Sequence, residues 1–513
     1  MSHLLPLVLA TIPILPLLAG LAARTVGPVM AGRLVTMSAG VAAVCAVAAA
    51  GALALGGPVT ARWAPWGDEA AFTFSIRLDA LTAAMTVLVS LLGLVTLRFS
   101  RNYLAGDPGQ ARFFSWMSLT LASVLLLVLS GNLLLLLFAW IATSMGLHRL
   151  LLHYPDRAGA HFSVRKKFVF SRLGDLCLAA AIVLVYRHFG TWELDALFAE
   201  VAAGRTGGLI PVGFLLAGCA ILKSAQLPFH SWLPDTMETP TPVSAFMHAG
   251  IINAGGFLLV RLSPLLMHSP GAMALLAVVG AVTAVFGSIV MLAQVNVKRA
   301  LAYSTIAQMG FMILQCGLGA FSLAVIHILA HALYKAHAFL TSGSTVGALP
   351  RTAIPLSTRA IVIGLLGSFF VVMAVAGLGL GFAPQQSGSS AVFLAVLALA
   401  LAYGLARAAS AGGGKRLVLR AVTGAAFIAV VSLVLHGAAA WLFPDFPVSS
   451  PPGALIGFVA GVFVLLFLFQ ALLWRASHHE VGRRLYLHAL NGFYLGTQAN
   501  RLLGHLWPRH STL

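Results

Sequence analysis

Charge is scarce in this chain: of 513 residues only 9% are Asp, Glu, Lys or Arg, and only 13 are acidic. Set against 60% apolar residues and a mean hydropathy of +0.96, that scarcity excludes a soluble globular protein, whose surface needs about a quarter charged residues. Lipid has to be the main solvent. Cysteine is equally thin. Cys45, Cys177, Cys219 and Cys316 lie singly in apolar runs, with neither a C-x-x-C pair nor the spacing of a metal site, and read as buried packing residues. There is no Cys/His set for zinc, no Gly-rich dinucleotide fingerprint, and no flavin or cluster motif. The chain is therefore expected to hold no cofactor and no catalytic group of its own.

What is present is a succession of apolar runs of roughly 20 residues, each about long enough to cross a ~30 Å hydrocarbon layer as a helix. Helix is forced, because backbone polar groups in lipid must be satisfied within the segment. Fifteen spans are expected, at about 4–23, 35–56, 78–98, 114–131, 133–152, 167–187, 208–226, 240–260, 271–293, 300–318, 321–345, 360–383, 391–409, 420–442 and 454–475. The first, Leu4 to Ala23, follows no basic residue and shows no small-residue cleavage site, so it reads as a retained span. The fold expected is an all-α polytopic bundle over residues 1–475, followed by a C-terminal segment, 476–513. The Gly- and Pro-containing stretches at Ala61 to Glu69, Pro384 to Ser390 and Pro444 to Pro452 read as short connections.

A formal charge of +18 raises nucleic acid as a partner, but in a membrane chain basic residues report topology. With the N-terminus outside, 24 of the 31 Lys and Arg residues fall in inner loops and flanks, Arg165, Lys166, Lys167 and Lys298 among them. Fifteen spans then place the C-terminus in the cytoplasm. No nucleic-acid role is expected.

A charge in the middle of a span costs at least ~2.5 kcal/mol on insertion scales, so Lys223 and Lys335, which fall inside apolar segments, need an explanation. Lys223 precedes a stretch where Pro228, Pro234, Pro240 and Pro242, with Asp235 and Glu238, prevent regular helix and free backbone carbonyls at membrane depth. Broken helices of this kind line polar cavities; a lysine snorkelling from a helix end is the blander alternative. His327, His331 and Lys335 recur every four residues on one helix face, a rise of ~6 Å per step. Imidazole titrates near ~6.5, so the row suits proton relay, with Tyr334 and His337 as extensions; His248 by itself would read as a packing residue. Of the acids, Asp79 and Asp175 fall within or at the edge of spans. Asp175 either exchanges a proton with Lys223 or forms a local salt bridge with Arg172. In the C-terminal segment Arg483, Arg484, Tyr486, Phe493 and Tyr494 belong to an amphipathic pattern that suits a partner-binding helix, or equally a basic tail on anionic lipid.

The stretch from Lys223 to Arg261, with its WLPD and PTPVSA blocks, the KRALAYSTIAQMG block at 298–310 and HILAHALYKAHAFLTSG at 327–343 resemble the antiporter-like subunits of respiratory complex I and of multi-subunit sodium/proton antiporters. With LDAL at 78–81 and NYLAGD at 102–107 the resemblance covers roughly residues 70 to 345. It implies a central proton path through Lys223, His248, Lys298, His327, His331 and Lys335. It also implies a glutamate in span five opposite the span-seven lysine, where this chain offers Ser144, His148 and Arg149, and an ionisable residue in span twelve, which this chain lacks. Nothing here matches the long lateral helix of the complex I subunit. The wording HAGIINAGGFLLVRLSPLL at 248–266, LHRLLLHYPDR at 147–157, RKKFVFSRLGDL at 165–176 and RLYLHALNGFYL at 484–495 is similar to the membrane subunit of DAB inorganic-carbon accumulation complexes. That resemblance implies a bacterial inner-membrane chain in which proton or sodium flow drives a large cytoplasmic partner resembling a β-carbonic anhydrase, with the zinc and the hydration of carbon dioxide in the partner. A sodium/proton antiporter subunit, a quinone-linked proton pump subunit and a non-conducting membrane anchor remain the other readings.

Overall fold

The computed structural model describes residues 4–63, 73–345, 356–377, 388–411, 414–476 and 480–506. In chain order come α1 (Leu5–Ala22), α2 (Pro28–Gly56), a hairpin of β1 (Val59–Trp63) and β2 (Phe74–Leu78), α3 (Ala80–Tyr103), α4 (Gln110–Leu129), α5 (Leu133–Leu151), α6 (Ala158–Phe189), α7 (Leu194–Ala202), α8 (Leu209–Lys223), α9 (Thr241–Ala249), α10 (Ala254–Arg261) and α11 (Ser263–Leu266). They are followed by α12 (Pro270–Ala293), α13 (Val297–Gly317), α14 (Phe321–Leu340), α15 (Thr358–Gly377), α16 (Gly388–Ser410), α17 (Gly414–Leu442), α18 (Gly453–Ala476), α19 (Glu480–Leu490) and α20 (Leu495–Leu506). The chain divides into two compact units. One takes in the residues up to Ala272 together with His327–Gly343, the other Met273–Ile326 and the residues from Ser344 onward.

Among the described residues thirteen helices are long and apolar enough to cross a membrane. Two further expected spans are helical but atypical: α8 has only 15 residues, and the 21-residue α13 is more polar. The all-α, many-span architecture follows from the apolar runs. Three features do not. The connection beginning at Ala61 opens inside β1, which pairs antiparallel with β2 from Val59↔Leu78 to Trp63↔Phe74; β-branched Val59, Thr60 and Ile76 with aromatic Trp63 and Phe74 suit a pleated surface. Residues 64–72, and Pro384 to Ser387 of a second expected connection, lie outside the described residues, whereas Gly388–Ser390 belong to α16. Finally, α6 begins at Ala158 and runs 32 residues, so Lys166 and Lys167, expected as inner-flank charges, are helical and buried.

Polar side chains inside spans close their bonds locally, as lipid demands. Thr96, Ser100, Thr120 and Thr143 each donate to the carbonyl four residues earlier, at 2.6–2.8 Å. Helix starts are set by short polar caps: Asp79 accepts from Thr82 N at 2.8 Å, Asn132 from Leu135 N at 2.7 Å and Asn296 from Arg299 N at 3.1 Å. In the second unit α12 and α13 touch backbone to backbone through glycines spaced by seven. A Cβ placed on Gly287 would lie 2.6 Å from Ala307 N, and one on Gly310 2.6 Å from Ala284 N. Close approach through small residues is how helices without a hydrophobic driving force gain contact.

Candidate functional site

Lys223 ends α8 with only 7% of its surface exposed. Its Nζ donates to Ser144 Oγ at 2.5 Å and lies 4.4 Å from the Trp140 ring centroid. Trp140 and Ser144 are one turn apart on α5 and buried, so an aromatic face and a hydroxyl hold the ammonium where a carboxylate was implied. Lys223 is an interior group, not a snorkelling one. Lys167 of α6, 3% exposed, donates to the backbone carbonyl of the same Ser144 at 2.6 Å. Asp175 makes the local ion pair, with Arg172 at 2.6 Å, and its charge still reaches both Lys223 and Lys167.

Beyond Lys223 the helix stops. A cis Leu227–Pro228 bond and two 3-10 segments, Phe229–Trp232 and Pro234–Glu238, lead to α9, and Ile251–Asn253 forms a third before α10. Pro234, Pro240 and Pro242 are buried in this break, as expected of residues that shape it. Pro228 and Glu238 are not: their side chains are exposed, and Glu238 contributes its backbone carbonyl, which accepts from Arg157 at 2.7 Å. Asp235 is engaged by Lys166, a fully buried lysine that also reaches the Ser231 carbonyl at 3.4 Å.

His248, on α9, is fully buried, and its ring stacks on Phe339 of α14 with centroids 4.4 Å apart. From α14 come His331, 5% exposed, and Lys335, fully buried. Each lies within electrostatic reach of His248. His327 and His331 have ring centroids 6.2 Å apart, and neither nitrogen of His331 has a hydrogen-bond partner among the described residues. The first unit thus gathers His327, His331 and Lys335, the row that four-residue spacing anticipated, with His248, which only the resemblance had added. Of the two expected extensions, Tyr334 is exposed but keeps its ring centroid 5.4 Å from Lys335 Nζ, and His337 is exposed. Lys298 begins α13 in the second unit, half-buried.

Two ionic clusters lie at the two ends of α3. Arg261, at the end of α10 and 4% exposed, donates to both oxygens of Asp79 and to Thr82 Oγ1 at 2.5 Å. Arg77 adds a bond to Asp79 at 2.8 Å and one to Asp195. Outside the spans, Asp107 takes the Gly109 N–H at 2.7 Å and the Tyr154 hydroxyl at 2.9 Å, with His153 Nε2 3.5 Å away. Partial burial works against ionisation of Asp107, but these donors and His153 hold its pKa below the usual carboxylate range. Burial and Asp107 push the Tyr154 phenol up to about 12. Burial also lowers His153, against the pull of Asp107.

In the tail, Arg483 and Arg484 pair with Glu480 at 2.6 and 3.0 Å and remain about 70% exposed. Tyr486 and Tyr494 are also exposed. Phe493, expected to face a partner, turns inward instead: with a positive φ of 49° it sits 6.1 Å from the Phe286 ring, and Gln294 Nε2 donates to the Leu490 carbonyl at 3.1 Å beside it. Among the described residues no group of three or more His, Cys, Asp or Glu side chains converges as a metal site would require.

Trp140, Lys166 and Lys167 were not expected at the site, whereas Ser144 was expected only as the residue standing where the resemblance implies a glutamate. A signal for Lys167 was present: Lys167, Ser171 and Asp175 recur every four residues, the spacing that marked α14, and all three are buried. It was masked by the RKK run, which scored as an inner flank.

Residues 130–415 match the family described as NADH:quinone oxidoreductase/Mrp antiporter, TM, and residues 63–114 match the chain 5 N-terminal family of complex I. A probable inorganic carbon transporter subunit, DabB2, of Halothiobacillus neapolitanus is 39% identical over 85% of this chain and 81% of its own length. The corresponding probable DabB of Hydrogenovibrio crunogenus is 35% identical over 84% and 83%. Among solved structures, a chain of the Mrp complex from Dietzia sp. superposes with a TM-score of 0.65 at 24% identity, over 99% of this chain and 61% of its own, which shows a common fold. The chain belongs to the antiporter-like membrane subunits of NADH:quinone oxidoreductases and Mrp antiporters and, within them, to the inorganic-carbon transporter subunits.

Proposed function

We propose that this chain is the cation-conducting membrane subunit of a two-component inorganic-carbon transport complex, with protons as the cation. The observation that carries the reading is the set of buried bases in the first unit: Lys223 on Ser144 and Trp140, and His248, His331 and Lys335 within reach of one another. Buried ionisable groups in a membrane interior are costly and are kept for transport. A chain of lysine and imidazole exchanges protons readily and offers no oxygen cage for a hard cation. Proton flow past these groups would change the state of a cytoplasmic, zinc-holding partner that carries out the carbon chemistry. Arg483, Arg484, Tyr486 and Tyr494 of the exposed tail face would contribute to its docking. In this reading the N-terminus lies outside, the C-terminus lies in the cytoplasm, and this chain holds no cofactor.

The test is inorganic-carbon uptake in carbonic-anhydrase-deficient cells that express the chain with its partner. Wild type, Lys223→Ala and Lys335→Ala are compared at matched membrane levels, with and without an uncoupler. Uptake abolished by the uncoupler and by either substitution is the expected result. Uptake that survives all three would leave the chain a membrane anchor. Absent uptake together with sodium-dependent proton exchange would favour the antiporter reading, to which the fold shared with the Mrp chain lends support.

A further inference from the structure

Lys167 and Lys223 enter from different helices and end on one residue, Ser144, the first on its carbonyl oxygen at 2.6 Å and the second on its hydroxyl at 2.5 Å. Both are buried, at 3% and 7% exposure, and both lie within electrostatic reach of Arg172 and Asp175. The carboxylate among them, Asp175, is already engaged by Arg172 at 2.6 Å. Two ammonium groups beside one serine, in a medium of low dielectric, repel each other far more than they would in water. With the Arg172–Asp175 pair neutral as a unit, two protonated lysines would bury a net double positive charge, which proteins relieve by releasing a proton.

Building on the proton-conduction reading above, we propose that Lys167 and Lys223, bridged by Ser144, form a like-charge pair that holds one proton between them, Lys167 being the group whose protonation expels the proton from Lys223. The step balances: one proton arrives on Lys167 Nζ and one leaves Lys223 Nζ for the next acceptor. A repelling lysine thus does from α6 what an attracting carboxylate on α5 would do by release. The other charged or titratable groups that act on the pair are Arg172 and Asp175 of α6, Cys219 of α8, and His148 of α5, which senses Lys167. Lys167 is a positioning residue in this scheme, acting on the transported proton through Lys223.

The experiment measures proton flux against pH in proteoliposomes holding the full chain with the subunits that co-purify with it, for wild type, Lys167→Met, Lys167→Gln, Lys167→Arg and Lys223→Ala. Removing the like charge favours the protonated form of Lys223. Both neutral variants should therefore move the flux midpoint to higher pH by about 1 unit or more, with about a tenfold loss of rate at the wild-type optimum. Lys167→Arg, permanently charged, should move it the opposite way. Shifts of opposite sign are not what loss of packing produces. Neutral variants with wild-type midpoint and rate overturn the proposal, as does an arginine variant that shifts in the same direction as methionine. If neither neutral variant accumulates, the arginine variant decides alone, an unchanged midpoint being the refuting result. Wild-type flux in Lys223→Ala would instead sink the conduction reading itself.

Discussion

Asp79→Asn isolates one buried charge without disturbing the helix it caps. Asp79 begins α3 and accepts the Thr82 N–H at 2.8 Å, a bond that asparagine makes as well as aspartate. What changes is the partner of Arg261, whose side chain is 3% exposed against 17% for Asp79. Arg77 has Asp195 as a second partner and is little affected. Stripping a buried guanidinium of its carboxylate costs about 3–5 kcal/mol. The asparagine oxygen and Thr82 Oγ1 still accept from it, which brings the expected loss to about 2–4 kcal/mol. At about 2 cal/mol/K of unfolding entropy per residue, and with one unit unfolding as a whole, the melting midpoint should fall by about 3–6 °C. Thermal unfolding of the detergent-solubilised chain, followed by fluorescence-detected size exclusion, reads this directly. Because the cost lies in the unpaired charge, adding Arg261→Met should restore at least half of the loss. A single variant as stable as wild type, or a double variant no better than the single, would show that the Arg261–Asp79 pair does not hold the end of the segment carrying His248.

Gly310→Val should cost more than Gly310→Ala, because even the first added carbon lies 2.6 Å from the Ala284 backbone nitrogen. Overpacking of about 1–3 kcal/mol or more should appear as lower membrane abundance and a lower melting midpoint, with Gly271→Val, whose neighbour is the flexible Phe214 ring, as the milder control. Asp107→Asn should loosen the turns around Asp107 and Tyr154, seen as faster hydrogen exchange over 104–109 and 152–157 at neutral pH. Asp107 is depressed in the folded chain, so its stabilisation is full above the ordinary carboxylate value of ~3.9 and is lost only as pH falls through its lowered pKa. Weakening near neutrality in the wild type would contradict that sign.

The all-α membrane architecture was legible in the sequence because the cost of an unsatisfied peptide group in lipid leaves apolar runs of this length a single outcome. The break after Lys223 was legible because four prolines within 15 residues cannot propagate a helix, and the His327, His331 and Lys335 row because a helical period projects straight onto one face. The hairpin of β1 and β2 escaped because strands of five residues carry little periodic signal. The inward turn of Phe493 escaped because it depends on Phe286, some 200 residues earlier, and no local pattern reports such a contact.

Apart from the local Arg172–Asp175 pair, which a three-residue spacing offered, the partners of the buried charges were a matter for tertiary structure. The sequence by itself determined that Lys223 and Lys335 stand in apolar helices and therefore demand a polar neighbour. It could not state that Ser144 and Trp140 supply one for Lys223, that Lys167 shares that serine, or that Arg261 closes on Asp79 across 182 positions. Secondary structure in lipid is dictated by each segment's own backbone and composition, whereas a charge is neutralised by whatever helix packing brings within about 3 Å, and that follows from the packing of many helices at once.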